Sequence, residues 1–221
     1  AIDAFNQVQK MSENEKIFYD AIYWTARCYV ELENYIQATN YIELIEIDPN
    51  LPSHLRDDVH AVLADIFIRQ KEYENAIESL KNAIAKAKKK DVRARYTFIL
   101  AQVYQLNSDL ENATRYYEEV VKINPDYEMV FNALMKQASC FVGGNNKAIV
   151  NALQDMLKDD KNTDYLDQIY YAMAEVFLKG ENKERGIKFL NRSISESTIN
   201  NHQKALSYLK LATIYFDERK Y

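Results

Sequence analysis

Apolar positions along the chain recur at helical rather than strand spacing. Phe98, Leu100, Ala101 and Tyr104 form one cluster, and Ala113, Tyr117, Val120 and Val121 form a second. Residues three and four apart share a helix face, so each cluster predicts an amphipathic helix with one buried stripe. Between them lies the polar stretch Asn107-Ser108-Asp109, and Ser108 with Glu111 has the form of a capping box opening the second helix.

This two-helix pattern recurs. Its skeleton is a small residue, an aromatic or similar residue three further on, and a second small residue nine beyond that. Ala26, Tyr29 and Ala38 fit it, as do Ala64, Phe67 and Ala76; Ala101, Tyr104 and Ala113; and Ala174, Phe177 and Gly186. Ala138 with Phe141 is a weaker copy, and Ala212 with Tyr215 opens another. The leading alanines at 26, 64, 101, 138, 174 and 212 are spaced by 38, 37, 37, 36 and 38 residues. Such even spacing predicts stacked supersecondary units rather than one globular core. Small residues let paired helices approach closely, and the aromatic fills the gap beside the contact. Asp48-Pro49 and Asn124-Pro125 close two of the pairs, because proline cannot continue a helix.

Composition narrows the fold class. The 221 residues include only 4 Gly and 3 Pro, about 3% where ordinary usage is roughly 12%. A β-sandwich or barrel needs more turn residues than that. With 48% hydrophobic residues, 17 Tyr and 9 Phe, the chain can bury a core. The net charge of −5 leaves no basic footprint for nucleic acid. No apolar run approaches the roughly 18 residues of a membrane span, and Ala1-Ile2-Asp3-Ala4-Phe5 lacks the basic and apolar regions of a signal peptide.

The skeleton resembles the tetratricopeptide repeat (TPR) family, whose signature has a small eighth residue, an aromatic eleventh, alanine at the twentieth, a large twenty-fourth and proline near the thirty-second. Leu100, Ala101, Tyr104, Ala113, Tyr117 and Pro125 fit best. The resemblance implies an all-α, right-handed superhelical solenoid of antiparallel helix pairs, about twelve helices in all. The fourth position, often tryptophan in the family, is Ile22, His60, Thr97, Leu134, Tyr170 and Tyr208 here. The implied boundaries are a second helix of a preceding repeat over 1–16, repeats over 17–53, 54–91 and 92–128, a degenerate repeat over 129–163, a fifth over 164–203 and the start of a sixth over 204–221. In the degenerate repeat, Gly143-Gly144-Asn145-Asn146 precedes an apolar face of Ala148, Ala152, Leu153 and Met156 that fits only if the turn is about two residues short. Ala1 and Phe5 match the twentieth and twenty-fourth positions and Tyr221 the seventeenth, so the expectation is a window cut from a longer array. Missing targeting signals then say nothing of localisation.

Four stretches are more specific. They are residues 93–102, 124–133, 165–172 and 203–209, reading RARYTFILAQ, NPDYEMVFNA, YLDQIYYA and QKALSYL. They look like the large TPR lipoproteins of gliding, Bacteroidetes-type bacteria (the PorW/SprE type), which serve type IX protein secretion. That resemblance implies a lipid-anchored scaffold on the periplasmic side of the outer membrane, with other secretion components as partners.

No residues call for catalysis, a metal or a cofactor. His54 and His60 are six apart and do not share a helix face, and His202 stands alone. No C-x-x-C, H-E-x-x-H, G-x-S-x-G or Walker-type glycine loop occurs. Cys28 and Cys140 occupy the same tenth repeat position three repeats apart, which linear stacking of helices at roughly 8–10 Å places beyond disulfide reach. Asp57-Asp58 and Asp159-Asp160 belong at helix starts or loops. The basic run Lys86, Lys88, Lys89, Lys90, Arg93 and Arg95 reads as a solvated connector or a site for an acidic partner or phosphate, with Arg95 facing inward.

In TPR proteins the first helices line a concave surface. Carried onto this chain, the implied partner-binding residues are Tyr23, Arg27, Arg69, Arg95, Phe98, Gln102, Met135 and Tyr171. The fifth position of successive repeats reads Tyr23, Ala61, Phe98, Met135, Tyr171 and Leu209. An apolar stripe flanked by arginines suits peptide recognition; alternatively it packs against neighbouring helices. The Lys/Asn carboxylate clamp of chaperone-tail binders is absent. The implied function is a non-enzymatic protein–protein interaction scaffold. A rival is a glycan- or lipid-binding module built on TPR helices, which would need aromatic platforms in long loops.

Overall fold

A computed structural model describes residues 1–219. Tyr221, matched above to the seventeenth repeat position, lies outside the described residues. The elements are α1 (Ile2–Met11), α2 (Glu15–Glu31), α3 (Tyr35–Glu46), α4 (Arg56–Gln70), α5 (Tyr73–Lys86), α6 (Lys90–Leu106), α7 (Leu110–Ile123), α8 (Tyr127–Cys140), α9 (Lys147–Lys158), α10 (Leu166–Lys179), α11 (Lys183–Glu196) and α12 (Asn201–Asp217), with a 3-10 segment at Asp160–Tyr165. The described residues contain no strand. The fold is all-α and TPR-type.

The chain forms two compact units, the first ending at Asp109 and the second starting at Leu110. In the first, each helix from α1 to α6 packs on the next, and α2 also touches α4. Its core holds Ile22, Ala26 and Val30 of α2, Ala38, Ile42 and Ile45 of α3, and Val59, Val62 and Ile66 of α4, all at most 2% exposed. Each large aliphatic side chain so buried contributes roughly 1.5–3 kcal/mol. In the second unit α8 touches α10 and α10 touches α12, besides the sequential pairs. Leu134, Ala138, Leu153, Ile169, Met173 and Val176 form its larger core.

The small repeat positions earn their size. Ala26, Ala64, Ala101, Ala138 and Ala174 are 0–1% exposed, as are Ala38, Ala76 and Ala113. At Gly186, a Cβ would lie 2.5 Å from Cδ2 and 2.6 Å from Cγ of Leu178. Ala212 differs, being exposed on α12.

Four first-to-second helix turns share one geometry. The residue seven beyond the leading alanine is left-handed: Glu33 (φ 57°), Lys71 (62°), Ser108 (62°) and Glu181 (60°). The Glu33 N–H donates to the Val30 carbonyl (3.0 Å) and the Asn34 N–H to the Tyr29 carbonyl (2.9 Å). The same pair of bonds recurs at Lys71/Glu72, Ser108/Asp109 and Glu181/Asn182, a Schellman closure that satisfies terminal carbonyls. The long bond always ends on the repeat's aromatic residue: Tyr29, Phe67, Tyr104 or Phe177. Asn34 and Asn182 then cap the following helix, accepting from the Gln37 and Arg185 N–H groups. Ser108 therefore does not cap α7 as its spacing to Glu111 implies. It is the left-handed residue, and α7 starts two positions later at Leu110.

The degenerate repeat departs from this geometry. α8 stops at Cys140, so the turn to α9 runs through residues 141–146, with Gly143 at φ 113° and Gly144 at φ 91°. The buried face of α9 is Ile149, Leu153 and Met156. Ala148 is exposed and Ala152 half-buried, so the expected register is corrected by one residue on that side. Not every connector is short: residues 47–55 join α3 to α4, with Leu51 and Leu55 buried, and the Tyr19 hydroxyl donates to Asp48 at 2.6 Å. Hydrogen bonding to Asp48 and burial push the Tyr19 pKa up to about 12.

Candidate functional site

In the first unit α2, α4 and α6 frame a cavity of about 340 Å³. Tyr23 and Arg27 reach it from α2; Asp58, Ala61, Asp65 and Ile68 from α4; and Arg95, Tyr96 and Ile99 from α6. The leading alanine Ala64 and Leu80 of α5 complete the lining, so the cavity reaches in to where first and second helices meet.

Two polar pairs join successive first helices, Tyr96 with Asp58 and Arg69 with Glu31. Tyr96, itself buried, donates its hydroxyl to Asp58 at 2.9 Å. Burial is the main cause of the raised Tyr96 pKa, and the bond to Asp58 adds to it. Arg69 Nε donates to Asp65 at 3.0 Å and its Nη2 to Glu31 at 3.1 Å. His54 Nε2 lies 2.7 Å from Asp20 Oδ1. Burial also raises the Tyr23 pKa, opposed by a hydrogen bond with Arg27.

The sequence-derived site residues fall into three groups. Tyr23, Arg27 and Arg95 line the cavity. Tyr23 is 8% exposed and belongs to the core, so its ring forms floor rather than a free platform. Arg69, outside the lining of this cavity, is held by two carboxylates, Asp65 and Glu31. Phe98 is half-buried and Gln102 exposed on α6, outside the lining of this cavity. Met135 and Tyr171 lie in the second unit, where both are half-buried against its hydrophobic clusters. Leu209 of the same stripe is 65% exposed. Tyr96 and Ile99 occupy the third and sixth repeat positions and were not anticipated. The buried aromatic Tyr96, directly after Arg95, was the available signal.

The remaining candidates are spread out. His60 Nδ1 approaches Glu46 Oε1 to 3.1 Å without hydrogen-bond alignment. Cys28 and Cys140 are free thiols; Cys140 is fully buried, and burial raises its pKa, while Cys28 is half-buried and lines a cavity with Trp24. Lys88, Lys89 and Lys90 are exposed. Among the described residues, no three His, Cys, Asp or Glu side chains converge as a metal site, and no helix is long and apolar enough to cross a membrane.

Two family models of the tetratricopeptide repeat match the sequence, one over residues 59–94 and one over 94–127. The chain carries TPR repeats. Among solved structures it is similar to YrrB, a TPR protein with an unusual peptide-binding site, at 16% identity and a TM-score of 0.63, over 95% of this chain and 100% of that one. It is also similar to BtubC (BKLC) from P. vanneervenii, at 14% identity and TM-score 0.49 over 90% and 91% of the two chains. The C-terminal part of a TPR repeat-containing protein from Cytophaga hutchinsonii matches at 14% and 0.37, over 91% of each. Of these three, YrrB alone is alike enough in shape to bear on the fold. No curated protein matches the chain by sequence. The TPR models cover α4 to α7, so the first helices α4 and α6 that build the cavity belong to the matched repeats.

Proposed function

We propose that this chain is a non-enzymatic protein–protein interaction scaffold that holds a peptide segment of its partner against α2, α4 and α6. The observation that carries the reading is the open cavity whose walls offer Arg27 and Arg95 beside apolar Ala61, Ile68 and Ile99. Rigid, preorganised walls lower the entropy cost of capture, and arginine supplies planar, paired hydrogen bonds. The peptide-binding site of YrrB, on a similar fold, supports it. The test is hydrogen exchange on the chain alone and with peptides selected from a display library. Protection concentrated in α2, α4 and α6 is the expected result. Protection confined to the second helices α3 and α5 overturns this site.

We further propose a role in type IX protein secretion, with other secretion components as partners and a place on the periplasmic side of the outer membrane. Its support is the resemblance of residues 93–102, 124–133, 165–172 and 203–209 to the lipoproteins of that system. Fractionation and cross-linking in cells test it. Recovery in the cytosol without secretion components would end this reading and leave the scaffold reading standing.

A further inference from the structure

The 3-10 segment Asp160–Tyr165, which precedes α10, builds a second site that repeat architecture alone does not provide. Asn162, fully buried, donates its amide to the Met156 carbonyl at 2.8 Å and accepts the Tyr127 hydroxyl. Those bonds fix the segment against α8 and carry Tyr165 to Phe131, with ring centroids 5.2 Å apart at 57°. Phe131 in turn meets Tyr127 at 6.5 Å and 39°. The three rings border a cavity of about 370 Å³ whose other walls are Glu128, Asn132 and Gln168.

We propose that this aromatic corner binds a cationic side chain, arginine or lysine, of a partner polypeptide. Tilted rings enclose a compact group, whereas a sugar needs a flat exposed platform. Ring faces carry negative electrostatic potential, which attracts a guanidinium or ammonium group. The Glu128 carboxylate is exposed and has no hydrogen-bond or ion-pair partner among the described residues. Asp159 lies close enough to Tyr127 to oppose its ionisation, and Asp160 and Asp164 add negative charge to the same segment. Lys161 is the segment's one base, and its Nζ already stands 5.8 Å from the Tyr127 ring centroid. The chain thus places a cation of its own at one wall of the corner. The site lies wholly in the second unit and does not rest on the cavity of the first.

The test uses the full chain and two probes, acetyl-Gly-Arg-Gly-amide and its citrulline isostere, followed by ring-proton NMR. The arginine peptide should shift the Tyr127, Phe131 and Tyr165 resonances saturably, and the neutral peptide should not. Glu128→Gln, at an exposed position, should weaken binding about fivefold or more with the thermal midpoint unchanged, and Tyr165→Ala should weaken it as much while lowering the midpoint modestly, because its ring packs on Phe131. Lys161→Ser should tighten it by removing the resident like charge. Equal binding of the citrulline peptide, unmoved ring resonances, a tighter response to oligosaccharides than to the arginine peptide, or weaker binding by the Lys161→Ser variant would each overturn the proposal.

Discussion

The hydroxyl of Tyr96 donates a 2.9 Å hydrogen bond to Asp58, 38 residues earlier in the chain. Arg69 reaches Glu31 across the same separation of 38 residues. Both bonds thus span one repeat, joining a first helix to the first helix before it. The polar groups of the groove are therefore partly consumed in holding its walls together. What remains for a partner is the set without such ties, above all Arg95 and the apolar residues between the walls.

Tyr96→Phe removes the donor and leaves half-buried Asp58 without it. The expected loss is about 1–2 kcal/mol, because the acceptor is charged. Alkaline titration gives the second readout. Tyr96 and Tyr117 are raised above 10.0 mainly by burial, and Tyr19 to about 12 mainly by its bond to Asp48. An unfolded tyrosine ionises near 10 while these stay protonated in the fold. Their contribution is thus full below pH 10 and is lost as pH rises above it. Thermal unfolding between pH 9 and roughly 12 should show falling stability, less steep in Tyr96→Phe; an identical slope in the variant would refute the assignment.

Lys71→Gly should stabilise the protein. A non-glycine residue in the left-handed region costs roughly 1–2 kcal/mol, and glycine's extra freedom in the unfolded chain returns about 0.4–1 kcal/mol of that. The turn's two N–H donations at Lys71 and Glu72 are backbone bonds and survive the change. A net gain of about 0.5–1 kcal/mol is expected by chemical denaturation, with Lys71→Val losing stability. A loss with glycine would mean that the lysine side chain, exposed here, makes a contact worth more than the strain.

The helical pairing was legible because Ala26, Ala64, Ala101, Ala138 and Ala174 mark tight contacts that no larger residue fits. The turns were not, since Glu33, Lys71, Ser108 and Glu181 do the work that glycine usually announces. Ser108 even imitates a cap. The groove helices could be named from repeat register, but which arginine stays open depends on side chains one repeat away, as Arg69 with Glu31 shows. The shift in α9 follows from α8 stopping at Cys140, ahead of Gly143-Gly144, a length that periodicity cannot measure.

Glu175→Gln should raise stability near neutral pH. Desolvation lifts the Glu175 pKa above 4.5, only partly opposed by Lys179 and Lys210. A folded pKa above the unfolded one means stability is present below about pH 4.5 and lost as pH rises through the folded value. At pH 7 the ionised carboxylate is therefore a cost, which the amide removes. Unfolding midpoints from pH 4 to 7 should fall more steeply in the parent than in the variant. Parallel curves would show that the lysines fully compensate the burial.

A single arginine on α6 and a lysine cluster at its start make opposite predictions for partner binding. Arg95 lines the cavity, with Phe98 one helical turn along on α6, whereas Lys88, Lys89 and Lys90 are exposed where the connector enters that helix. An anchor desolvated on binding typically costs about 2 kcal/mol or more when truncated, and a rim charge far less. Arg95→Ala with Phe98→Ala should therefore weaken capture at least about tenfold, mainly through faster dissociation. Phe98 is half-buried, so Arg95→Ala alone is measured beside the double variant, with the thermal midpoint of each. Changing the three lysines to serine should leave the dissociation rate nearly unchanged, while slowing association and flattening its salt dependence. Kinetic binding measurements at about 50 and 300 mM salt separate the two, since only solvent-exposed charges are screened strongly over that range. If the lysine variant abolishes capture and both Arg95 variants bind as the parent does, the partner uses the connector, and the cavity between α2, α4 and α6 is not its site.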